Sequence, residues 1–346
     1  YICVDEAQDT SKIQHEVIRI LTSRRNNIFM VGDEDQSIYR FRAAYPRALL
    51  DFTDTYTNPY IMFLETNYRS TKQIVSAAQK FISQNINRHS EKHMQASRGE
   101  GKNIECITVK KKHEQYSAIS TIAKGKHNQI AVLYRNNSSA IPIMDLFLRE
   151  NIPYKRLKDA GENFFTSKVV QDIIYFLRFA INPNDEEAFM QIYYKCGYGI
   201  RQQAANWSCR KSRQKRITIA DELINQMSQW PSLMHKAKDF RCKLQKVASS
   251  KPHDAIDSIR CFWYNSYAKE EELDIGKADI LYSLAVREDT IMGFLQRLQQ
   301  LPSLIENYSC MDDNPVILST IHSAKGLEFD TVYIVDVYDG CLPHSS

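Results

Sequence analysis

Tyr1-Ile2-Cys3-Val4-Asp5-Glu6-Ala7-Gln8-Asp9-Thr10 is a short β-prone apolar run followed at once by an acid pair. Such a run reads as a buried strand that delivers Asp5 and Glu6 to its carboxyl end, where open α/β sheets bind their ligands. In a phosphate-hydrolysing site, one carboxylate at that point holds Mg2+ and a second orients or deprotonates the attacking water. The plainer reading is solvated surface charge, and an acid pair alone does not decide between the two.

Residues 26–31 read as a second buried strand. It runs into Val31-Gly32-Asp33-Glu34-Asp35-Gln36-Ser37-Ile38-Tyr39, where Gly32 permits a tight turn. The Gln36 amide is placed to meet a γ-phosphate or the attacking water, as a glutamine does in many triphosphatases; otherwise it is a loop amide bonded to backbone. A third strand-like run, 60–64, leads to Glu65-Thr66-Asn67-Tyr68-Arg69-Ser70-Thr71. Ser70 or Thr71 suits the cap of a helix beginning near Lys72. Arg69 is either an ordinary surface arginine or one that stabilises charge on a transferring phosphoryl group.

These stretches, together with Thr320-Ile321-His322-Ser323-Ala324-Lys325-Gly326-Leu327-Glu328-Phe329 far downstream, resemble motifs II to V of the UvrD/Rep/PcrA group of superfamily 1 DNA helicases. Four motifs in the family's order span nearly the whole chain. The resemblance implies that Asp5 and Glu6 bind Mg2+ and activate water, and that Gln36 and Arg69 read the γ-phosphate of ATP. It further implies that Tyr68 stacks on adenine, that Glu328 holds the ribose, and that Gly326 belongs to the same nucleotide-contacting turn.

No G-x-x-x-x-G-K-[ST] loop occurs in these 346 residues. In the family that loop lies upstream of motif II, and a second arginine finger lies downstream of motif V. The chain is therefore expected to be a fragment of a longer helicase, and by itself to release no phosphate from ATP. DNA-stimulated phosphate release from the pure chain is the result that contradicts this.

A length of 346 residues with 43% hydrophobic content allows two or three domains with real cores. Apolar stretches are too short for a membrane span, and the eight cysteines form no C-x-x-C pair, so reduced cytoplasmic thiols are expected. The alternation of strands and helices over 1–98 argues for a parallel sheet, and the polar stretch 87–102 reads as a linker. A second α/β unit starts with a strand-like run at 104–109 and continues with the strand 130–134. Its companion strands lie at 316–320 and 331–335, and the sequence between about 167 and 311 is helical. The fold class expected is α/β: parallel RecA-like sheets of the P-loop NTPase type with an inserted all-helical domain. The resemblance divides the chain into the end of a first RecA-like domain (1–98), an incomplete second one (99–166 and 312–346) and the insert (167–311).

Ser37-Ile38-Tyr39-Arg40-Phe41-Arg42 interleaves aromatic and cationic side chains. That pattern suits stacking on unpaired bases with phosphate neutralisation, or a buried β-type alternation. In the family, Phe41 stands where a tryptophan usually stacks on a base, with Tyr39 and Arg42 beside it. Arg135 and Asn137 resemble family residues that grip the strand, and Thr320 and His322 resemble ones that contact its backbone. Gly197-Tyr198-Gly199 resembles a turn that offers backbone N–H groups to duplex phosphates, with Cys196 where an arginine is usual. Residues 201–251 hold twelve basic and three acidic side chains, among them Lys211, Arg213 and Lys215, which favours a phosphate partner over a mixed-sign solvated face.

The resemblance thus implies an ATP-dependent DNA helicase moving 3′-to-5′ on single strands. ATP and Mg2+ would sit between the two RecA-like domains, whose closure and opening ratchet DNA past Tyr39 and Phe41. The expected partners are single-stranded DNA and single/double-strand junctions, with repair or replication proteins. The expected state is a monomer or weak dimer with no membrane association. Two alternatives stay open: a helicase–nuclease of the RecB or AddA kind, and a non-catalytic DNA-binding module.

Overall fold

The apolar run at the start forms strand β1 (Ile2–Val4), which pairs in parallel with β2 (Ile28–Met30), Cys3 facing Phe29. The computed structural model describes residues 1–24, 27–39, 43–89, 91–125, 128–157 and 164–343. They fall into two compact units, Tyr1–Thr108 and Val109–Ser346.

In the first unit, β1 is followed by α1 (Lys12–Thr22), which begins at a capping box: Ser11 accepts from the Gln14 N–H, and the Gln14 side chain accepts from the Ser11 N–H. Residues 47–55 form two short helices, α2 (Arg47–Leu50) and α3 (Phe52–Thr55), because Asp51 between them leaves helical geometry at φ −86°, ψ 12°. The strand expected at 60–64 does not form. Pairing begins instead at β3 (Thr66–Asn67), which runs parallel to β4 (Gln95–Ala96) beyond α4 (Lys72–Ile82). Tyr60, Met62 and Leu64 are exposed, so the run has the composition of a strand without a neighbouring strand to bond its backbone. The same holds for 104–109, which is irregular with Ile104 and Ile107 exposed.

The polar stretch 87–102 is not a linker. It contains β4, and its Arg88, His89 and Lys92 bind the acidic loop that follows β2. Gly101 donates its N–H to Gln73 Oε1 at 2.7 Å and Lys72 donates its own to the Gly99 carbonyl at 3.3 Å, which stitches the far end of the stretch to the start of α4.

In the second unit, α5 (Lys112–Lys124) precedes β5 (Ile130–Tyr134), and α6 (Ala140–Glu150) precedes β6 (Tyr154–Arg156). After a long helical stretch come β7 (Val316–Thr320) and β8 (Thr331–Ile334). The four strands form one parallel sheet in the order β6-β7-β5-β8, with Tyr134 opposite Thr320. Strands β5 and β7 lie in its centre with both faces covered; β5 reads as an unbroken apolar run, and β7 is apolar over Val316–Leu318 before the buried polar Ser319 and Thr320.

Between β6 and β7 run α7 (Lys168–Ile181), α8 (Glu186–Ile192), α9 (Gln202–Lys215), α10 (Ile219–Gln226) and α11 (Pro231–Ala248). They are followed by α12 (Pro252–Ile259), α13 (Asn265–Glu270), α14 (Gly276–Ala285) and α15 (Ile291–Glu306). Their core is aromatic: Phe176 stacks on Trp263 with ring centroids 5.3 Å apart, and Phe179 packs against Phe189 and Phe240. Among the described residues no helix is long and apolar enough to cross a membrane.

Candidate functional site

The acid pair sits where the strand ends. Glu6 is held in the left-handed region at φ 48°, ψ 41°, a conformation that costs a non-glycine residue about 1–2 kcal/mol. Its neighbours enforce it: Val31 N–H donates to the Val4 carbonyl at 2.8 Å and Ala7 N–H to the Val31 carbonyl at 3.0 Å, so the chain must turn sharply between them. The Glu6 N–H donates to Asp5 Oδ1 at 2.9 Å, which fixes the Asp5 carboxylate against the turn. Strain of this kind gathers at functional positions, where surrounding structure over-determines it.

A residue not singled out from the sequence links this pair to the second loop. Gln8, 1% exposed, donates from Nε2 to Glu6 Oε2 at 2.6 Å and accepts from the Asp33 N–H at Oε1, 2.9 Å away. Its identity in Ala7-Gln8-Asp9 carried no signal, because a glutamine after an acid pair is equally at home in solvent. Gly32 is explained by the same amide. Its backbone is not left-handed, so no special turn is involved; a Cβ there would lie 2.7 Å from Gln8 Oε1 and 2.8 Å from Leu49 Cδ1.

Gln36 closes a short 3-10 turn, Glu34–Gln36, with its Nε2 donating to Asp33 Oδ2 at 2.6 Å. It is bonded to a carboxylate, not to backbone. Asp5, Glu6, Gln8, Asp33 and Gln36 therefore form one connected set within the first unit. Tyr39 follows, half-buried, and Phe41 and Arg42 lie outside the described residues.

Tyr68 and Arg69 follow β3 on an exposed turn, Tyr68 being 73% exposed. Asn67 fixes that turn by accepting from the N–H groups of Arg69, at 3.0 Å, and Ser70, at 2.8 Å. Thr71 occupies the N-cap position of α4 without a side-chain cap bond, so neither Ser70 nor Thr71 does the capping expected of them; the first helical N–H, that of Lys72, goes to the Gly99 carbonyl.

In the second unit the central strands bring another group together. Arg135 and Asn137 follow β5, Thr320 ends β7 and His322 follows it, so all four lie at the carboxyl edge of the sheet. Arg135 Nη1 lies 3.3 Å from His322 Nδ1. Thr320 turns the chain: its Oγ1 accepts from the Ser323 N–H at 3.1 Å and its carbonyl from Ala324 at 3.1 Å. The turn continues through Gly326, at φ 82°, to the exposed Glu328. Asn137 Oδ1 is shielded from solvent without a hydrogen-bond partner, an arrangement that costs about 1–3 kcal/mol.

Gly197 and Gly199 both lie at φ 69° with open space where a Cβ would stand, so the requirement there is conformational. Tyr198 between them anchors the turn, its hydroxyl donating to Asp239 Oδ2 at 2.5 Å and accepting from Trp263 Nε1 at 3.2 Å. The turn leads into α9, whose N-cap Arg201 makes no side-chain cap bond. Cys196 is buried with its thiol donating to the Ile192 carbonyl, and burial pushes that thiol's pKa up, so it presents no charge to a phosphate.

The basic bias of 201–251 is partly neutralised. Arg213 pairs with Glu186 at 2.6 Å, Lys215 with Glu222 at 2.8 Å, Arg241 with Asp221 at 2.6 Å and Lys243 with Asp239 at 2.8 Å. Two of the three cations expected to meet phosphate, Arg213 and Lys215, are thus occupied. Lys211 keeps its charge near the surface over the ring of Trp207, which is 51% exposed, with its Nζ 5.2 Å from the centroid.

Comparison with known proteins matches residues 1–57 to the UvrD/REP helicase N-terminal domain and residues 62–259 and 243–346 to the UvrD-like helicase C-terminal domain. YjcD of Bacillus subtilis is 30% identical over 359 aligned residues, which take in 99% of this chain and 46% of that protein. The ATP-dependent DNA helicase PcrA of Staphylococcus epidermidis is 28% identical over 374 residues, 99% of this chain and 50% of that protein. PcrA of Staphylococcus aureus is 28% identical with the same coverage. The chain spans about half the length of the curated relatives it matches. With both domain types matched in order, and the acid pair, Gln36 and the Thr320 turn each held at a strand end, the chain belongs to the UvrD-like helicase family.

Proposed function

We propose that this chain forms the water-activating, phosphate-sensing and DNA-gripping part of an ATP-dependent DNA helicase that moves 3′-to-5′. The observation that carries this reading is the strained Glu6, wired through the buried Gln8 amide to the Asp33–Gln36 loop. A carboxylate fixed at a strand end and tied to a glutamine-bearing loop is the layout that water activation and phosphate sensing require. Glu6 takes the proton of the attacking water, Gln36 orients that water, and Arg69 stabilises charge on the transferring phosphoryl group. Tyr68 offers an exposed ring to adenine, and Glu328 with the Gly326 turn meets the ribose.

Asp5 and Glu6 also fit Mg2+, a hard cation held by one or two carboxylates together with phosphate oxygens. Their exposure at the strand end, with Asp5 held by the Glu6 N–H and Glu6 by Gln8, supports this, and the bound ion would offset phosphate charge. In domain terms, we read 1–98 as the end of a first RecA-like domain, 99–166 with 312–346 as part of a second, and 167–311 as a helical insert.

Single-stranded DNA is assigned to Tyr39, Phe41 and Arg42 and to the sheet edge bearing Arg135, Asn137, Thr320 and His322. The duplex is assigned to the Gly197–Gly199 turn and the face of α9 with Arg210 and Lys211. Reversing both charges, Arg210→Glu with Lys211→Glu, is expected to weaken duplex binding and to reduce the slope of log affinity against log salt by about 1.8, at about 0.9 per phosphate contact. An unchanged slope removes α9 from the interface. The activity is tested by strand separation in the intact protein: unwinding that needs ATP and a 3′ single-stranded tail supports the reading, and unwinding from a 5′ tail alone contradicts its direction.

A further inference from the structure

Asp33, Glu34 and Asp35 are three consecutive carboxylates beside Gln36, and their side chains are largely buried. Two cations from the stretch before β4 balance them. Arg88 forks onto Asp35, Nε to Oδ1 at 3.2 Å and Nη2 to Oδ2 at 3.0 Å. Lys92 bonds Asp33 Oδ1 and lies 3.5 Å from Glu34 Oε2 and 3.3 Å from Asp35 Oδ2. The His89 N–H donates to Glu34 Oε1 at 3.0 Å. Burial by itself would lower the Lys92 pKa, but the three carboxylates outweigh it and hold the ammonium charged.

The two cations are not equivalent. Arg88 touches Asp35, whereas Lys92 takes the Asp33 oxygen opposite the one that holds Gln36. With Oδ1 fixed by Lys92 and by the Asp35 N–H at 3.1 Å, Oδ2 faces Gln36 Nε2. A carboxylate only accepts, so the amide nitrogen must face Asp33 and the carbonyl oxygen points away from it. An acceptor oxygen suits the O–H of a water molecule and repels a phosphate oxygen.

We propose that Lys92 is a positioning residue that acts through Asp33 to hold Gln36 with its carbonyl oxygen presented to the attacking water. This rests on the ATP-driven reading above. Without Lys92 the three carboxylates keep one counter-charge, on Arg88, and Asp33 relieves the repulsion by turning outward and releasing Gln36.

The test measures DNA-stimulated phosphate release and melting temperature for the intact protein and its variants. Lys92→Met is expected to lower kcat roughly 10- to 100-fold, the loss typical of removing an outer-layer hydrogen-bond partner, with KM for ATP within about twofold. Lys92→Arg is expected to restore most of kcat. Arg88→Met removes an equal charge from the same network and is expected to lower the melting temperature while leaving kcat near wild type. In a Gln36→Ala background, Lys92→Met is expected to cost no further kcat. An active wild type whose Lys92→Met variant keeps its kcat, equal losses for Lys92→Met and Arg88→Met, or independent losses in the Gln36→Ala background would each overturn the inference alone. An inactive wild type overturns the ATP-driven reading and the inference with it.

Discussion

Glu6→Gln is expected to lower DNA-stimulated phosphate release by the intact protein by about 100- to 10,000-fold, the contribution of a positioned general base. The substitution keeps the size and most of the hydrogen bonding of the side chain but removes the group that accepts the proton. Gln8 Nε2 donates to Glu6 Oε2, and a glutamine at position 6 can still offer an oxygen there, so the loop should stay in place. Stability is therefore expected to change little while kcat collapses, and KM for ATP should move far less than kcat. Gln8→Ala separates position from chemistry: it leaves the Glu6 carboxylate intact but removes its tether to the Asp33 N–H. A smaller loss than for Glu6→Gln, accompanied by lower thermal stability, is the expected pattern. Retention of more than about a tenth of wild-type kcat by Glu6→Gln would remove Glu6 as the base.

The second large effect lies in the helical stretch. Lys195 and Asp172 are 3% and 4% exposed and form an ion pair, and Tyr264, fully buried, donates its hydroxyl to Asp172 Oδ2 at 2.8 Å. Burial, followed by the Asp172 charge, pushes the Tyr264 pKa up, which keeps that hydroxyl a donor. Lys195→Met leaves Asp172 charged and buried with the tyrosine as its remaining neighbour in the triad. Breaking one side of a buried pair typically costs about 3–5 kcal/mol. For a unit of this size that is a fall of about 10 °C in melting temperature. Lys195→Met with Asp172→Leu removes both charges and is expected to recover much of the loss. A Lys195→Met variant that melts within about 2 °C of wild type would show that the pair carries no such load. Because Lys195 directly precedes Cys196 and the Gly197–Gly199 turn, this triad also sets the base from which the proposed duplex contact projects.

The elements legible in the sequence were those whose chemistry is local or whose burial is complete. Strands β5 and β7 are buried on both faces, and the apolar run at 130–134 and the strand at 316–320, apolar over its first three residues, appear at the expected residues. The runs at 60–64 and 104–109 have similar composition but lack a neighbouring strand, and composition cannot report a missing partner. The stretch 87–102 is polar because its Arg88 and Lys92 complete an ion network with residues more than fifty positions earlier. Ion pairs at that separation leave no local pattern, so a clamp reads as a linker. Charge counting over 201–251 registers the basic excess but not its pairing: Glu186, which binds Arg213, lies outside the counted segment, and the three acids within it each sit on a basic partner. Of the candidate site, Asp5, Glu6 and Gln36 were readable from their motifs, whereas Gln8 and Lys92 act through contacts that only the folded chain makes.

The most direct test of the central claim is phosphate release from ATP by the intact protein, with and without single-stranded DNA, in wild type and Glu6→Gln. Release that DNA stimulates in the wild type and that Glu6→Gln abolishes is the predicted result. DNA binding without any ATP-dependent phosphate release in the wild type would contradict the claim and leave a DNA-binding module in its place.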